Sequence, residues 1–464
     1  MRTVHGWAAG IVVGLASVGL VRQGVAQQDS TKGDTVPASL ESRIDALDQQ
    51  VRILQRLREL AADSAAAAAK DKVSATASAK DGFSIKSADG KFAVRLKGLV
   101  QTDARIFLSD KAAPATTTFF LRRARPILEA TVGKYLEFRL QPDFGQGQTV
   151  LFDAYSDVKI APAFAIRVGK FKPAVDLERY QSASDIVFAE RALATNLAPN
   201  RDIGLQLSGD ISTGAFTWQA GIYNGVPDLG NGDGDVSDAK DVAGRVFLQP
   251  FKLGALAGLG FGVAGTTGLE RGTILAPALA SYRTPGQQTW FKYRSSLTTP
   301  ANNIFADGRR SRVAPQAYFY SGPLGLHGEY IQSWQAVTKL AGTPLKLKHT
   351  AWQTTGSIFL TGEKNSFKSA APKKPFDPKA GTFGALELAA RYSELSIDDA
   401  TFPTFANPAN TPSKAKAWAI GLNWYLAKAI KVVADYEHTT FTGGTATGDR
   451  EDENFVATRV QYSF

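Results

Sequence analysis

Cysteine is absent from this chain, so neither disulfides nor a thiolate metal site can hold its fold. Histidine is scarce. His5, His327, His349 and His438 are the only four, and they show no metal-ligand spacing. No G-x-S-x-G stands at a strand–helix elbow, which leaves a hydrolase without a recognisable nucleophile and base. A barrel lipase built from a Ser and His327 or His438 is the one enzyme alternative. No catalytic residue, metal ligand or cofactor is assigned. Beyond the first twenty residues nothing approaches 18 consecutive apolar positions, so no helix is expected to span a membrane.

The last eleven residues, NFVATRVQYSF, alternate strictly. Val456, Thr458, Val460, Tyr462 and Phe464 share one side of a strand, and Ala457, Arg459, Gln461 and Ser463 the other. A soluble domain rarely ends on aromatic strand residues. A bacterial outer-membrane barrel closes on its last strand with an aromatic at the interface, so Tyr462 and Phe464 are expected to close a barrel.

The start reads as a cleaved secretory signal over 1–26. Arg2 supplies the positive charge, Trp7 to Leu20 the apolar stretch, and Gly24 and Ala26 the small residues. The formal charge is +10, or +8 once Arg2 and Arg22 leave with the signal. An exported basic protein suits an anionic solute or an acidic surface. Nucleic acid is not expected as a partner.

Residues 27–37 are polar and expected to be disordered. Over 38–62, Leu40, Ile44, Leu47, Val51 and Leu54 repeat at 4-3-4-3 spacing, the seam of a coiled coil. The alternative is a single amphipathic helix. Residues 63–80 form an Ala-rich linker, helical at first and then loose.

From 81 to 464 the pattern is strands. On 91–108, Phe92, Val94, Leu96, Val100, Ala104 and Ile106 oppose Arg95, Lys97, Gln101, Asp103 and Arg105. On 150–160, Val150, Phe152, Ala154, Val158 and Ile160 oppose Asp153, Tyr155, Asp157 and Lys159. Such strands are long enough to cross a tilted barrel wall, with apolar faces to lipid and charged faces to the lumen. Short links such as Val132-Gly133, Ala161-Pro162, Gly322-Pro323 and Ala427-Lys428 alternate with longer loops. Pairing across them, with 363–381 as a long turn and 268–311 as a long excursion, predicts an all-β, 16-stranded antiparallel transmembrane β-barrel with an N-terminal coiled-coil helix.

The order and spacing of FLRRARP (120–126), LQPDFGQG (140–147), VGKFKPAVDLERYQS (168–182), FAERAL (188–193), PNRDIGLQLSGD (199–210), ELAARYSEL (387–395) and GLNWYL (421–426) resemble the phosphate-selective porins O and P. The resemblance covers roughly 81–464. It implies a homotrimer, which would give the coiled coil a reason. It also implies passive diffusion of small anions, phosphate or polyphosphate, past lumen arginines and constriction lysines. It further implies that the third loop, 173–200, folds inward to set the narrowest point. Outer-membrane lipid, lipopolysaccharide and the barrel-assembly machinery follow as partners.

Residue by residue, the anion-pathway candidates are Arg95, Lys97, Arg105, Arg122, Arg123, Arg125, Arg139, Arg167, Lys170, Lys172, Arg191, Arg201 and Arg245, with Asp143 as the acidic constriction residue. Alternation puts Arg123 and Arg125 on one face and Arg122 on the other, so Arg122 either snorkels at the membrane rim or follows a bulge. The first five strands carry eight basic and six acidic lumen positions, a modest surplus that also fits a weakly selective general porin. A sugar channel or a structural, adhesive barrel are further alternatives. DLGNGDGDVSD (228–238) spaces carboxylates like a calcium loop, yet lacks the closing Glu and the flanking helices. It reads as an exposed loop.

Overall fold

The computed structural model describes residues 40–70, 73–79, 82–108, 115–235, 237–296 and 298–464. The expected signal (1–26) and polar segment (27–37) lie outside the described residues. The chain divides into two compact units, Met1–Ala67 and Ala68–Phe464.

The helix α1 spans Leu40–Lys70, past the expected end at 62. The run of alanines after Asp63 continues it, because alanine loses no side-chain entropy in a helix. Its seam residues Leu40, Ile44, Leu47, Val51 and Leu54 are all exposed. The expected linker is not loose throughout. Strand β1 (Ser74–Ser78) forms a hairpin with β2 (Gly82–Lys86).

The barrel begins with β3 (Phe92–Phe107), β4 (Thr118–Val132), β5 (Leu136–Asp143), β6 (Val150–Ala161), β7 (Phe164–Phe171), β8 (Asp202–Ile211), β9 (Phe216–Tyr223), β10 (Asp241–Leu248) and β11 (Leu259–Arg271). A small ribbon, β12 (Tyr282–Arg283) with β13 (Thr289–Phe291), sits in the following excursion. The wall resumes with β14 (Ile304–Ser321), β15 (Leu324–Lys339), β16 (Leu345–Phe359), β17 (Ala385–Ser396), β18 (Pro412–Ala427), β19 (Ile430–Gly443) and β20 (Glu453–Ser463). Each pairs antiparallel with its neighbour, and β20 pairs β3 from Phe455↔Phe107 to Ser463↔Leu99, closing sixteen strands. The excursion ends at Ile304, earlier than the expected 311, and the long turn runs between Phe359 and Ala385.

The β2 strand continues the edge that β20 leaves, pairing Phe83↔Leu96 to Lys86↔Ala93. Phe464 lies at the junction. It exchanges two backbone hydrogen bonds with Gly98, each 3.1 Å, and meets the Phe83 ring edge-on at 5.9 Å.

Outward faces are apolar and exposed, as in Val94, Leu96, Leu136, Phe138, Val168, Leu205, Ile222, Ile420 and Leu422. Among the irregularities in the wall, two bulges bear on the interior. One, at Gln101/Thr102, leaves Arg122 as the extra residue of β4. The other, at Gln141/Pro142, leaves Phe152 as the extra residue of β6. An extra residue shifts the phase of every side chain beyond it. Leu151 therefore points out and is exposed, while Val150 and Phe152 line an interior cavity, which corrects their expected lipid-facing placement.

Candidate functional site

The loop between β7 and β8 is almost wholly buried inside the barrel. It carries one α-helical turn, α2 (Leu177–Tyr180), capped by Asp176, whose side chain accepts the Arg179 N–H at 2.7 Å, and a 3-10 turn over Leu193–Leu197. A buried backbone must find partners, and the surrounding wall supplies them. Glu329 on β15 accepts the Leu177 and Glu178 N–H groups at 2.7 and 3.2 Å. Asp435 on β19 accepts the Ala189 N–H at 2.6 Å. Gln101 on β3 donates to Ala183 O, Arg391 on β17 to Glu190 O and Lys431 on β19 to Ile186 O. Anchors on strands so far apart fix the segment as a bar across the lumen.

One sector of the lumen is dry. Leu193 and Leu197 of this loop pack with Trp290, Phe291, Tyr293 and Phe405 of other external loops. They rest on inward Ile331, Val337, Leu347, Leu395 and Phe441 of the wall. The expectation of charged lumen faces fails here, because these strands cover a hydrophobic plug instead of water.

Water has room on the opposite side. An outer cavity is lined by Arg122, Arg123, Arg125, Phe152, Arg191 and Arg283, among others. An inner one is lined by Lys97, Arg139, Asp153, Lys368, Lys428 and Phe464, among others. Arg125, Lys172, Ala183 and Arg201 line both, so they stand between the two cavities. Three of these four are basic.

Carboxylates neutralise much of the surrounding charge. Glu190 takes Arg122 through both oxygens, with Nη2 to Oε2 at 3.0 Å, and lies 3.6 Å from Arg105 and 3.9 Å from Arg123. Burial alone would raise the Glu190 carboxyl. The facing Arg122, with Arg123 and Arg459 behind it, overrides this and holds it well below the usual carboxylate range. Asp143 binds Arg125 at 2.7 Å and accepts the Ala124 and Gly145 N–H groups. Asp153 binds Arg201 at 2.8 Å and approaches Arg139 at 3.5 Å. The Arg125 and Arg201 guanidiniums lie 4.3 and 4.9 Å from the Phe152 ring.

Lys172, Arg179 and Arg191 differ. Among the described residues no carboxylate oxygen lies within 4.0 Å of any of them. Lys172 donates to Gln181 O at 2.7 Å, and Arg191 to the Glu178 and Gln181 carbonyls at 3.3 and 3.1 Å. Burial, reinforced by Arg201 and Arg191, pushes the Lys172 ammonium well below its ordinary value. Burial, reinforced by Arg179, lowers Arg191 to about 10, still charged at neutral pH.

The predicted residues scatter around this frame. Arg122, Arg123, Arg125, Lys172, Arg191 and Arg201 gather at the outer cavity and its narrow end. The bulge turns both Arg122 and Arg123 inward, deciding between the two alternatives for Arg122. Lys97 and Arg139 share Glu129 at 2.9 and 2.6 Å beside the inner cavity, and Arg95, in register with Glu129 across the strands, donates to Thr131 Oγ1 at 3.4 Å. Arg105 stacks on Phe120 at 4.9 Å. Arg167, Lys170 and Arg245 line neither cavity. Arg167 is held by Asp157 at 2.7 Å and lies 3.9 Å from the Tyr155 ring. Lys170 is buried against Asp233, and Arg245 donates to Gln316. Asp143 lines neither cavity and positions Arg125. Tyr462 is exposed on the outer wall.

Phe152, Arg179, Arg283, Lys368 and Lys428 were not among the predicted residues. The carboxylates of the 228–238 loop hold cations of the chain: Asp228 binds Arg312 at 2.6 Å, and Asp235 binds Lys240 at 2.5 Å. Among the described residues no group of three or more His, Asp or Glu is placed to hold a metal ion.

Porin O of Pseudomonas aeruginosa is 25% identical over 419 residues, 83% of this chain and 91% of its own length. OmpT expressed in the outer membrane of Vibrio cholerae superposes with a TM-score of 0.52 at 14% identity, covering 81% of this chain and 98% of its own. OmpT folded in vitro, in its trimer form, gives 0.50 at 14% identity over 80% and 99%. The apolar outer wall, the kinship with Porin O and the family match together place the chain in the outer membrane. The family described as phosphate-selective porin O and P matches residues 94–464, and the chain belongs to that family.

Proposed function

We propose that this porin lets small anions diffuse passively through a water-filled path, and that it catalyses nothing. The observation that carries the reading is the basic set Arg125, Lys172 and Arg201 between the two cavities, next to Arg179 and Arg191, which have no carboxylate partner within 4.0 Å among the described residues. An anion leaving water there meets Lys172, Arg179 and Arg191, cations with no carboxylate oxygen within 4.0 Å among the described residues, so its barrier falls while that of a cation rises. Guanidinium groups favour a planar, multidentate oxyanion. Phosphate or polyphosphate as the solute is supported by the family's description and the kinship with Porin O.

A second reading, a weakly selective general porin, is favoured by one observation. Two of the three cations between the cavities are each held by a carboxylate, Arg125 by Asp143 and Arg201 by Asp153. Reversal potentials across planar bilayers under a KCl gradient separate the two. Anion preference supports the first reading, no preference the second, and cation preference defeats the first.

We further propose a homotrimer joined through α1. Support comes from the exposed seam, which asks for cover, and from the trimer form of OmpT. A signal cleaved near Gln27, delivery by barrel-assembly machinery and contact with lipopolysaccharide complete the proposal. Chemical crosslinking of the purified protein in detergent tests the assembly.

A further inference from the structure

The outer wall is not apolar everywhere. At the external ends of β16 and β18, Lys346, Lys348, Lys414 and Lys416 alternate with inward Leu347 and Ala415, both fully buried. The four lysines therefore point away from the lumen. Pairing sets them side by side: Lys416 is opposite Glu394 and Lys414 opposite Ser396 on β17, and Ser396 is opposite Thr350 on β16. Glu394 binds Lys414 at 3.1 Å, and the Asp398 side chain accepts the Lys348 backbone N–H at 2.7 Å. Among the described residues no carboxylate lies within 4.0 Å of the ammonium groups of Lys346, Lys348 or Lys416.

Depth decides what such a patch meets. On the same outer face Trp352 packs with Tyr392 at 5.2 Å and Trp418 with Tyr436 at 5.4 Å. Aromatic rows of this kind mark the boundary between hydrocarbon and headgroups. The lysines precede them on β16 and β18, towards the external loops, which is the headgroup layer. The sector of β8, β9 and β10 lacks this feature: Leu205, Ile222 and Val242 keep its external ends apolar and exposed.

We infer that Lys346, Lys348, Lys414 and Lys416 form a docking site for the phosphorylated headgroup of an outer-leaflet lipid. Clustered ammonium groups at this depth attract anionic headgroups. Their long stems lie along the wall while the charged ends reach outward. The inference is independent of what crosses the pore.

The test uses the full chain in detergent, incubated with a synthetic bis-phosphorylated, acylated glucosamine disaccharide or its phosphate-free analogue. Native mass spectrometry reads the bound lipid. Wild-type protein should retain the phosphorylated lipid and not the analogue. The triple variant Lys346→Gln, Lys348→Gln, Lys416→Gln should retain on the order of tenfold less, and the corresponding triple Arg variant should retain it fully. Unchanged single-channel conductance verifies that the Gln variant is folded. Equal retention by the Gln variant, or equal retention of the phosphate-free analogue, overturns the inference. So does displacement by excess inorganic phosphate, which would assign the patch to a free anion.

Discussion

Glu190 and Arg122 grip each other through both carboxylate oxygens, although one belongs to the inserted loop and the other to a bulge in the wall, 68 positions apart. The pair depends on the bulge. Without the extra residue, strict alternation would turn Arg122 to lipid and leave Arg105 and Arg123 to balance Glu190.

Replacing Glu190 by Gln should raise the anion-to-cation permeability ratio, by roughly twofold, because three facing guanidiniums lose their counter-charge. The same change removes one partner of a buried pair and should cost about 3 kcal/mol of stability. Reversal potentials read the first effect and thermal unfolding in detergent the second.

Acid should leave this clamp intact well past the point where ordinary glutamates titrate. The Glu190 carboxyl is held below its ordinary value of 4.5. Its contribution is therefore complete above that pH and is lost only as pH falls through the lower native value. Protease resistance of the 172–201 loop should persist at pH 4.5 and fail only under stronger acid. Cleavage setting in between pH 6 and 5 would contradict this.

Alkali should act through Lys172. Its ammonium loses the proton below the ordinary 10.5, so anion preference should decline with rising pH before ordinary lysines titrate. Lys172→Arg should abolish that decline, and Lys172→Glu should lower the permeability ratio by roughly threefold or more. Arg167→Glu, away from both cavities, should change it far less.

Closure can be probed at Gly98. A Cβ there would lie 2.8 Å from the Phe464 ring, too close without displacing it. Gly98→Val should destabilise the barrel by about 1–3 kcal/mol, seen as a lower temperature for the heat-modifiable shift on gels. Phe464→Ala should weaken the same seam.

Deleting residues 27–70 should leave the conductance of each pore unchanged while reducing the detergent-resistant oligomer. An oligomer of undiminished stability would show that α1 is not what joins the copies.

Strands were legible in the sequence because one side chain in two must satisfy lipid, and long stretches of the wall obey that rule. Places where a second demand overrides the alternation were not legible. Val150 and Phe152 are apolar, so their pattern reads as lipid-facing, and nothing local announces the bulge that turns them inward. Ile331 and Leu347 have the composition of a lipid face but line the lumen, because distant loops fill it. Arg310 and Arg312 alternate visibly, yet Arg310 fell inside the presumed excursion and Arg312 just past its end; they bind Asp241 of β10 and Asp228 of the loop before it. Lys170 matched the motif as well as Lys172 did, and only the fold separates them.

The loop that crosses the barrel is made before most of the wall that holds it. Its fastenings at Glu329, Arg391, Lys431 and Asp435 come from later strands. Narrowing and sealing are therefore a single event in the life of the chain. A half-finished cylinder would be a wide, indiscriminate leak, and it becomes a sieve only as its final staves arrive.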